Sequence, residues 1–154
     1  MWTKHNMFEQ SVAVPLIVSM PDRTQSGTAR RELVEHTDLF PTLAELCGHA
    51  VPKEIHGRSF AALIKDRRYV QREYAYSEYY FCHRVFTRDD RYVGKPPILM
   101  VRTDKWKLNY LSWARSELFD LQKDPGEFRN CIDDSGNAGV VKELTGIARR
   151  MFAA

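Results

Sequence analysis

The stretch Lys4-His5-Asn6-Met7-Phe8-Glu9, continued by Gln10-Ser11-Val12-Ala13-Val14-Pro15-Leu16-Ile17-Val18, decides how this chain is read. Four β-branched residues, Val12, Val14, Ile17 and Val18, give the second half the character of a buried strand, with Pro15 near its start. A strand is therefore expected over 12–20. A buried strand needs neighbours on both sides, and nothing ahead of residue 1 supplies them, so the chain is expected to open in the middle of a larger fold. Lys4, His5 and Glu9 stand just ahead of the apolar run, where open α/β sheets place their chemistry.

Downstream, Pro21 to Arg31 is polar and reads as a loop, and 33–36 as a short extended piece. Thr37 or Asp38 is expected to cap a helix running to about Cys47, with Pro41 in its first turn and Gly48 as its stop. Leu39, Leu43 and Leu46, joined by Phe40 and Cys47, give that helix one apolar face. Phe60 to Ile64 reads as a short helix and Tyr74 to Phe81, dominated by aromatics, as a strand. Thr87 to Pro97 carries Gly94, Pro96 and Pro97 and reads as a long loop or hairpin tip. Residues 98–111 form a strand broken by a turn at Thr103-Asp104, and 116–121 another. Asp124-Pro125-Gly126 is a turn with Pro at its favoured second place. Val140, Val141, Leu144, Ile147, Ala148 and Met151 give the last helix, 139–152, one apolar side.

Composition narrows the field less. The 154 residues carry a net charge of +3 and are 44% hydrophobic, enough for a core and too little charge for a field that demands nucleic acid. Basic residues are scattered among acids. Cys47, Cys82 and Cys131 define neither a disulfide framework nor a zinc site. No apolar run reaches membrane-spanning length. His36, His49 and His56 lack metal spacing, and Asp124 to Asn130 has too few acids at calcium-loop offsets and reads as a self-bonded turn.

Six stretches together resemble the sulfatase family of the alkaline-phosphatase-like superfamily. They are Lys4 with Phe8-Glu9 and Val14-Pro15-Leu16-Ile17; Asp38-Leu39-Phe40-Pro41-Thr42; Gly57-Arg58-Ser59-Phe60; Arg102-Thr103-Asp104-Lys105-Trp106-Lys107; Glu117-Leu118-Phe119-Asp120-Leu121; and Asp124-Pro125-Gly126-Glu127 with Asn130. They keep one order over about residues 4–130. The family's nucleophile, a formylglycine made from Cys or Ser in a Cys/Ser-x-Pro/Ala-x-Arg signature, has no counterpart around any of the three cysteines. Its calcium-binding acidic pairs also lie upstream in the pattern. The resemblance thus implies an α+β chain, the C-terminal part of an α/β sulfatase fold. One core strand and helix (1–68, the edge of the α/β domain) would be followed by a small antiparallel-sheet subdomain with a terminal helix (69–154).

The resemblance also implies roles. Sulfate-ester cleavage builds negative charge on oxygen, and a fixed ammonium beside it stabilises the transition state most in a dry cleft; the matching residue here is Lys4, the expected catalytic residue. His5 is expected to donate to a sulfate oxygen or sugar hydroxyl. In Glu78-Tyr79-Tyr80-Phe81-Cys82-His83-Arg84, His83 and Arg84 are expected to hold substrate hydroxyls or carboxylates. Glu9 is expected to accept backbone N–H bonds, Arg102 to be an ion-pair partner, and Asp38 a helix cap.

The function implied is hydrolysis of sulfate esters, on a sulfated small molecule or glycan. The formylglycine and an assisting Ca²⁺ would be carried by the N-terminal remainder, and no metal ligand by this chain. The 154 residues alone are then expected to be inactive. The alternatives are a phosphonate or phosphodiester hydrolase of the same superfamily and a non-catalytic carbohydrate-binding domain.

Overall fold

The structure, a computed structural model, describes residues 6–80 and 94–153. They form two compact units: 6–14 together with 74–80 and 94–153, and 15–73.

The larger unit is built on a four-stranded sheet of order β1-β2-β3-β4, with β1 Ala75–Tyr79, β2 Ile98–Arg102, β3 Trp106–Tyr110 and β4 Glu117–Asp120. Every neighbouring pair is antiparallel, with Tyr76 opposite Val101, Val101 opposite Leu108, and Leu108 opposite Leu118. The expected break at Thr103-Asp104 is a tight turn. Thr103 N–H donates to the Trp106 carbonyl at 2.8 Å, and Thr103 Oγ1 accepts from Trp106 N–H at 2.9 Å. The Asp124-Pro125-Gly126 turn also forms, closed by Glu127 N–H on the Asp124 carbonyl and by Asp124 Oδ2 accepting from Arg129 N–H.

Side chains alternate across a strand, so the sheet has two unlike faces. Leu99, Val101, Leu108 and Leu118 share one face. The terminal helix, labelled α4 (Ala138–Phe152), lays Leu144, Ile147 and Ala148 on it, with Val140, Val141 and Met151 partly buried at the margin. That is the apolar side read from the sequence. Arg149 in the last turn complements the helix dipole and stacks 5.3 Å from the Tyr110 ring centroid.

In the smaller unit, a 3₁₀ turn at His36–Asp38 runs into α2 (Leu39–Leu46), and a single helical turn, α3 (Ala61–Ile64), follows. Gly48 (φ +76°) ends α2 in the left-handed region. Its N–H bonds the Glu45 carbonyl and His49 N–H the Ala44 carbonyl, the paired bonds of a Schellman stop.

Three expectations are corrected. The strand over 12–20 is absent. Glu9–Val12 is a short helix, α1, and 13–20 carry no regular structure, with Ile17 89% exposed. β-propensity records fitness for a half-buried pleated surface, and no described strand offers its edge to this run. The α2 face is also different: Phe40 and Leu43 are exposed, while Asp38, Pro41 and Thr42 are buried. Nor is Asp38 the cap of α2, since it makes no side-chain cap bond there. It is a buried hub. Oδ2 accepts from Glu35 N–H at 2.8 Å, and Oδ1 accepts from Arg58 N–H at 2.7 Å and from Arg72 at 2.5 Å.

Candidate functional site

The second face of the sheet carries the polar chemistry. Arg102, Lys107 and Phe119 are successive cross-strand partners on β2, β3 and β4. Lys107 is 0% exposed, which is costly for an ammonium unless it is paired. Two carboxylates pair it: Glu9 Oε1 at 3.1 Å and Glu127 Oε1 at 2.9 Å. The second contact is close but not an aligned hydrogen bond. Glu127 Oε2 turns instead to the chain and accepts the Glu9 N–H at 2.5 Å. Arg102 Nε lies 3.8 Å from Glu9 Oε2, so two cations and two carboxylates share one neutral cluster.

This cluster fixes the segment that leads into α1. Met7 is buried, Phe8 sets its ring 5.8 Å from that of Phe119, and Asn6 Oδ1 accepts from Phe8 N–H and from the Ser11 hydroxyl. A four-residue helix without a side-chain cap has little stability of its own. Its place is set by these contacts. Glu9 departs from expectation here: its carboxylate meets Lys107 and Arg102, and it is the Glu9 N–H that donates to Glu127. Arg102 is an ion-pair partner, as read from the sequence. Lys107 and Glu127 were not singled out. The available signal was a lysine inside the alternation of β3, flanked by Trp106 and Leu108.

Lys4 and His5 precede Asn6 and lie outside the described residues, as do His83 and Arg84. Just ahead of the latter pair, Tyr76, Glu78 and Tyr80 form a polar set: Glu78 accepts from the Tyr76 hydroxyl at 2.8 Å and the Tyr80 hydroxyl at 2.5 Å. Burial, then the bond to Glu78, raises the Tyr76 hydroxyl pKa above its ordinary value. A separate shallow groove runs along α4 between Asp133, Asp134, Lys142 and Arg149, and includes none of the expected site residues.

A calcium ion does not fit the described carboxylates. Among the described residues no group of three His, Cys, Asp or Glu is arranged to hold a metal. Glu9 and Glu127 are matched by Lys107 and Arg102, and Asp38 is held by Arg72 and two backbone N–H groups.

The family model described as N-sulphoglucosamine sulphohydrolase, C-terminal, matches residues 1–152. The chain belongs to this sulfatase family. A Delta 4,5-hexuronate-2-O-sulfatase of Bacteroides thetaiotaomicron is 32% identical over 148 residues, covering 93% of this chain and 29% of the relative. The solved structure of a 2-O GAG sulfatase is 28% identical with a TM-score of 0.64, over 75% of this chain and 24% of that one. A phosphonate monoester hydrolase of Agrobacterium radiobacter shares the fold, at 22% identity and a TM-score of 0.60, over 75% of this chain and 23% of that one. The chain thus spans less than a third of the length of each of these three.

The sulfatase-like stretches of the sequence acquire physical meaning here, because they meet one another in the fold. Phe8-Glu9, the Arg102 to Lys107 stretch and Glu127 of the Asp-Pro-x-Glu turn converge on the buried ion cluster. Asp38 and Thr42 meet Arg58 and Phe60: Thr42 Oγ1 accepts from Phe60 N–H at 3.0 Å and donates to the Asp38 carbonyl at 2.6 Å. Gly57 is there because a Cβ would run into the Thr37 carbonyl. Asn130 splints β4, accepting from Leu118 N–H and donating to the Ser116 carbonyl.

Proposed function

We propose that this chain is the C-terminal part of a hydrolase of sulfate esters, with Lys4 neutralising the sulfate oxygens and His5 assisting. The observation that carries the reading is the sulfatase family match over residues 1–152. The anchoring of Glu9 to Lys107 and Glu127 supports it, since it ties down the polypeptide a few residues beyond Lys4. The nucleophile and the calcium site, where the family uses them, belong to sequence outside these 154 residues.

A sulfated carbohydrate is the substrate class we favour. Two of the relatives are described as acting on a hexuronate and on GAG. A uronate offers a carboxylate that a guanidinium grips in two places, and Arg84, with His83 beside it, is our candidate for that contact. The likeness to the phosphonate hydrolase is one of fold and adds nothing for a phosphonate substrate.

The test is Lys4→Ala in the full-length protein. kcat/KM for a sulfate ester is expected to fall roughly 10²–10³-fold, as on removal of one preorganised oxyanion donor, with the melting temperature unchanged. Arg84→Ala should raise KM for a sulfated uronate and spare a small aryl sulfate. Activity of Lys4→Ala within a few-fold of wild type would overturn the site, and faster turnover of a phosphonate monoester in the same assay would overturn the substrate class.

A further inference from the structure

We infer that Lys107 is a positioning residue for the active site, acting through Glu9 on the segment that carries Lys4. The inference rests on the reading of Lys4 given above. Lys107 is fully buried beneath α1, and its two carboxylate partners come from opposite ends of the sequence. Glu127 holds both members of the contact at once, one oxygen near the Lys107 ammonium and the other on the Glu9 N–H. Glu9 is therefore fixed by its backbone as well as by its side chain. The cross-strand neighbour of Lys107, Phe119, and the same-face Met100 are apolar and buried, so the sheet face itself gives no reason for a charge at 107; Glu9 and Glu127 do. Replacing every member of a buried ion cluster by apolar residues often matches or exceeds its stability, whereas removing one member leaves a buried charge uncompensated. What an apolar residue cannot do is hold Glu9 at one distance and in one direction.

The sequence distance makes this consequential. Lys4 stands five residues before Glu9, with buried Met7 and the Phe8 ring between them. A displacement of about 1 Å in a reacting group can cost on the order of 10²-fold in rate. A clamp on Glu9 limits such displacement, whereas α1 alone, at one turn, does not.

The experiment is a double-mutant cycle on kcat/KM in the full-length protein, with Lys107→Met, Lys4→Ala and the double variant. Lys107→Met is expected to lower kcat/KM by about 10- to 100-fold. Lys4→Ala, worth roughly 10²–10³-fold alone, is expected to cost less than about tenfold in the Lys107→Met background, because the ammonium is then already misplaced. If the two losses simply multiply, Lys107 serves only the fold and the positioning role is overturned. If Lys4→Ala is silent in the wild-type background, the sulfate-site reading falls and takes this inference with it, which is a distinguishable result. Should Lys107→Met fail to fold, Glu9→Gln replaces it in the cycle. It keeps the shape while removing the charge that Lys107 holds, and the same two outcomes decide.

Discussion

Lys107 Nζ lies 3.1 Å from Glu9 Oε1 across 98 residues of sequence, and it does so with no exposure to solvent. The contact joins the beginning of the chain to the middle strand pair of the sheet. It also explains why a charged residue is tolerated inside β3: the opposing charges arrive from α1 and from the turn after β4, and the cluster is neutral as a whole.

Glu127 is the member of that cluster whose loss should be felt most in stability. It adopts φ +56°, a conformation that L residues enter at a cost, while its side chain is buried against Lys107. Glu127→Ala leaves a buried ammonium short of a partner and is expected to destabilise the protein by about 3–5 kcal/mol. Glu127→Gly loses the same partner but relieves the left-handed backbone, and should come out about 1 kcal/mol more stable than Glu127→Ala. Urea denaturation of the two variants beside wild type checks both values. A loss under about 1 kcal/mol for Glu127→Ala would show that the ion pair contributes little.

Two glycines offer a contrast. A methyl group at Gly57 meets the Thr37 carbonyl, a backbone atom that cannot swing aside. Gly57→Ala is therefore expected to cost about 1–3 kcal/mol and to loosen the Arg58 N–H bond to Asp38. Gly146 lies inside α4, where the nearest obstacle is the flexible end of Arg150 at 3.5 Å. Gly146→Ala should stabilise by about 0.5–1 kcal/mol through helix propensity. Thermal melts of both variants test the pair, and equal signs would contradict the packing described.

Alkaline pH should weaken the larger unit through Tyr76. Burial and the hydrogen bond to Glu78 hold its hydroxyl pKa above the ordinary 10.0. The native state thus keeps a proton that the unfolded chain releases. Its contribution is complete below the unfolded value and is lost as pH rises through the higher native one. Tyr76→Phe is expected to flatten stability against pH above about 10 and to leave the neutral-pH profile parallel to wild type. Tyr80 of the same unit is raised as well, chiefly by its hydrogen bond to Glu78, so some alkaline slope should persist. An unchanged slope in Tyr76→Phe would refute the assignment.

Much of the larger unit could be read along the chain because its signals are local. The turn at Thr103, the turn at Pro125 and the period of α4 each depend on neighbours a few residues apart. The apolar side of α4 read from spacing is the side that meets Leu99, Val101, Leu108 and Leu118. The family resemblance was legible too, since it consists of short stretches in a fixed order, and the match over residues 1–152 bears it out.

What the sequence could not supply was which distant residues complete one another. Val14 to Val18 has the residues of a strand, yet strand formation depends on a paired edge, and none of the described strands provides one. Asp38 has the position of a helix cap, yet Arg58 and Arg72 turn it into a buried hub. Lys107 stands inside the alternation of β3 and Glu127 in a turn, but nothing local in either stretch names the other, or Glu9, as its partner. Only the folded sheet, which brings α1 and the Asp124–Glu127 turn onto one face, makes them a cluster. The physical reason is that local sequence encodes backbone preference and the pattern of burial, whereas burying a charge is acceptable only with a partner that tertiary structure delivers.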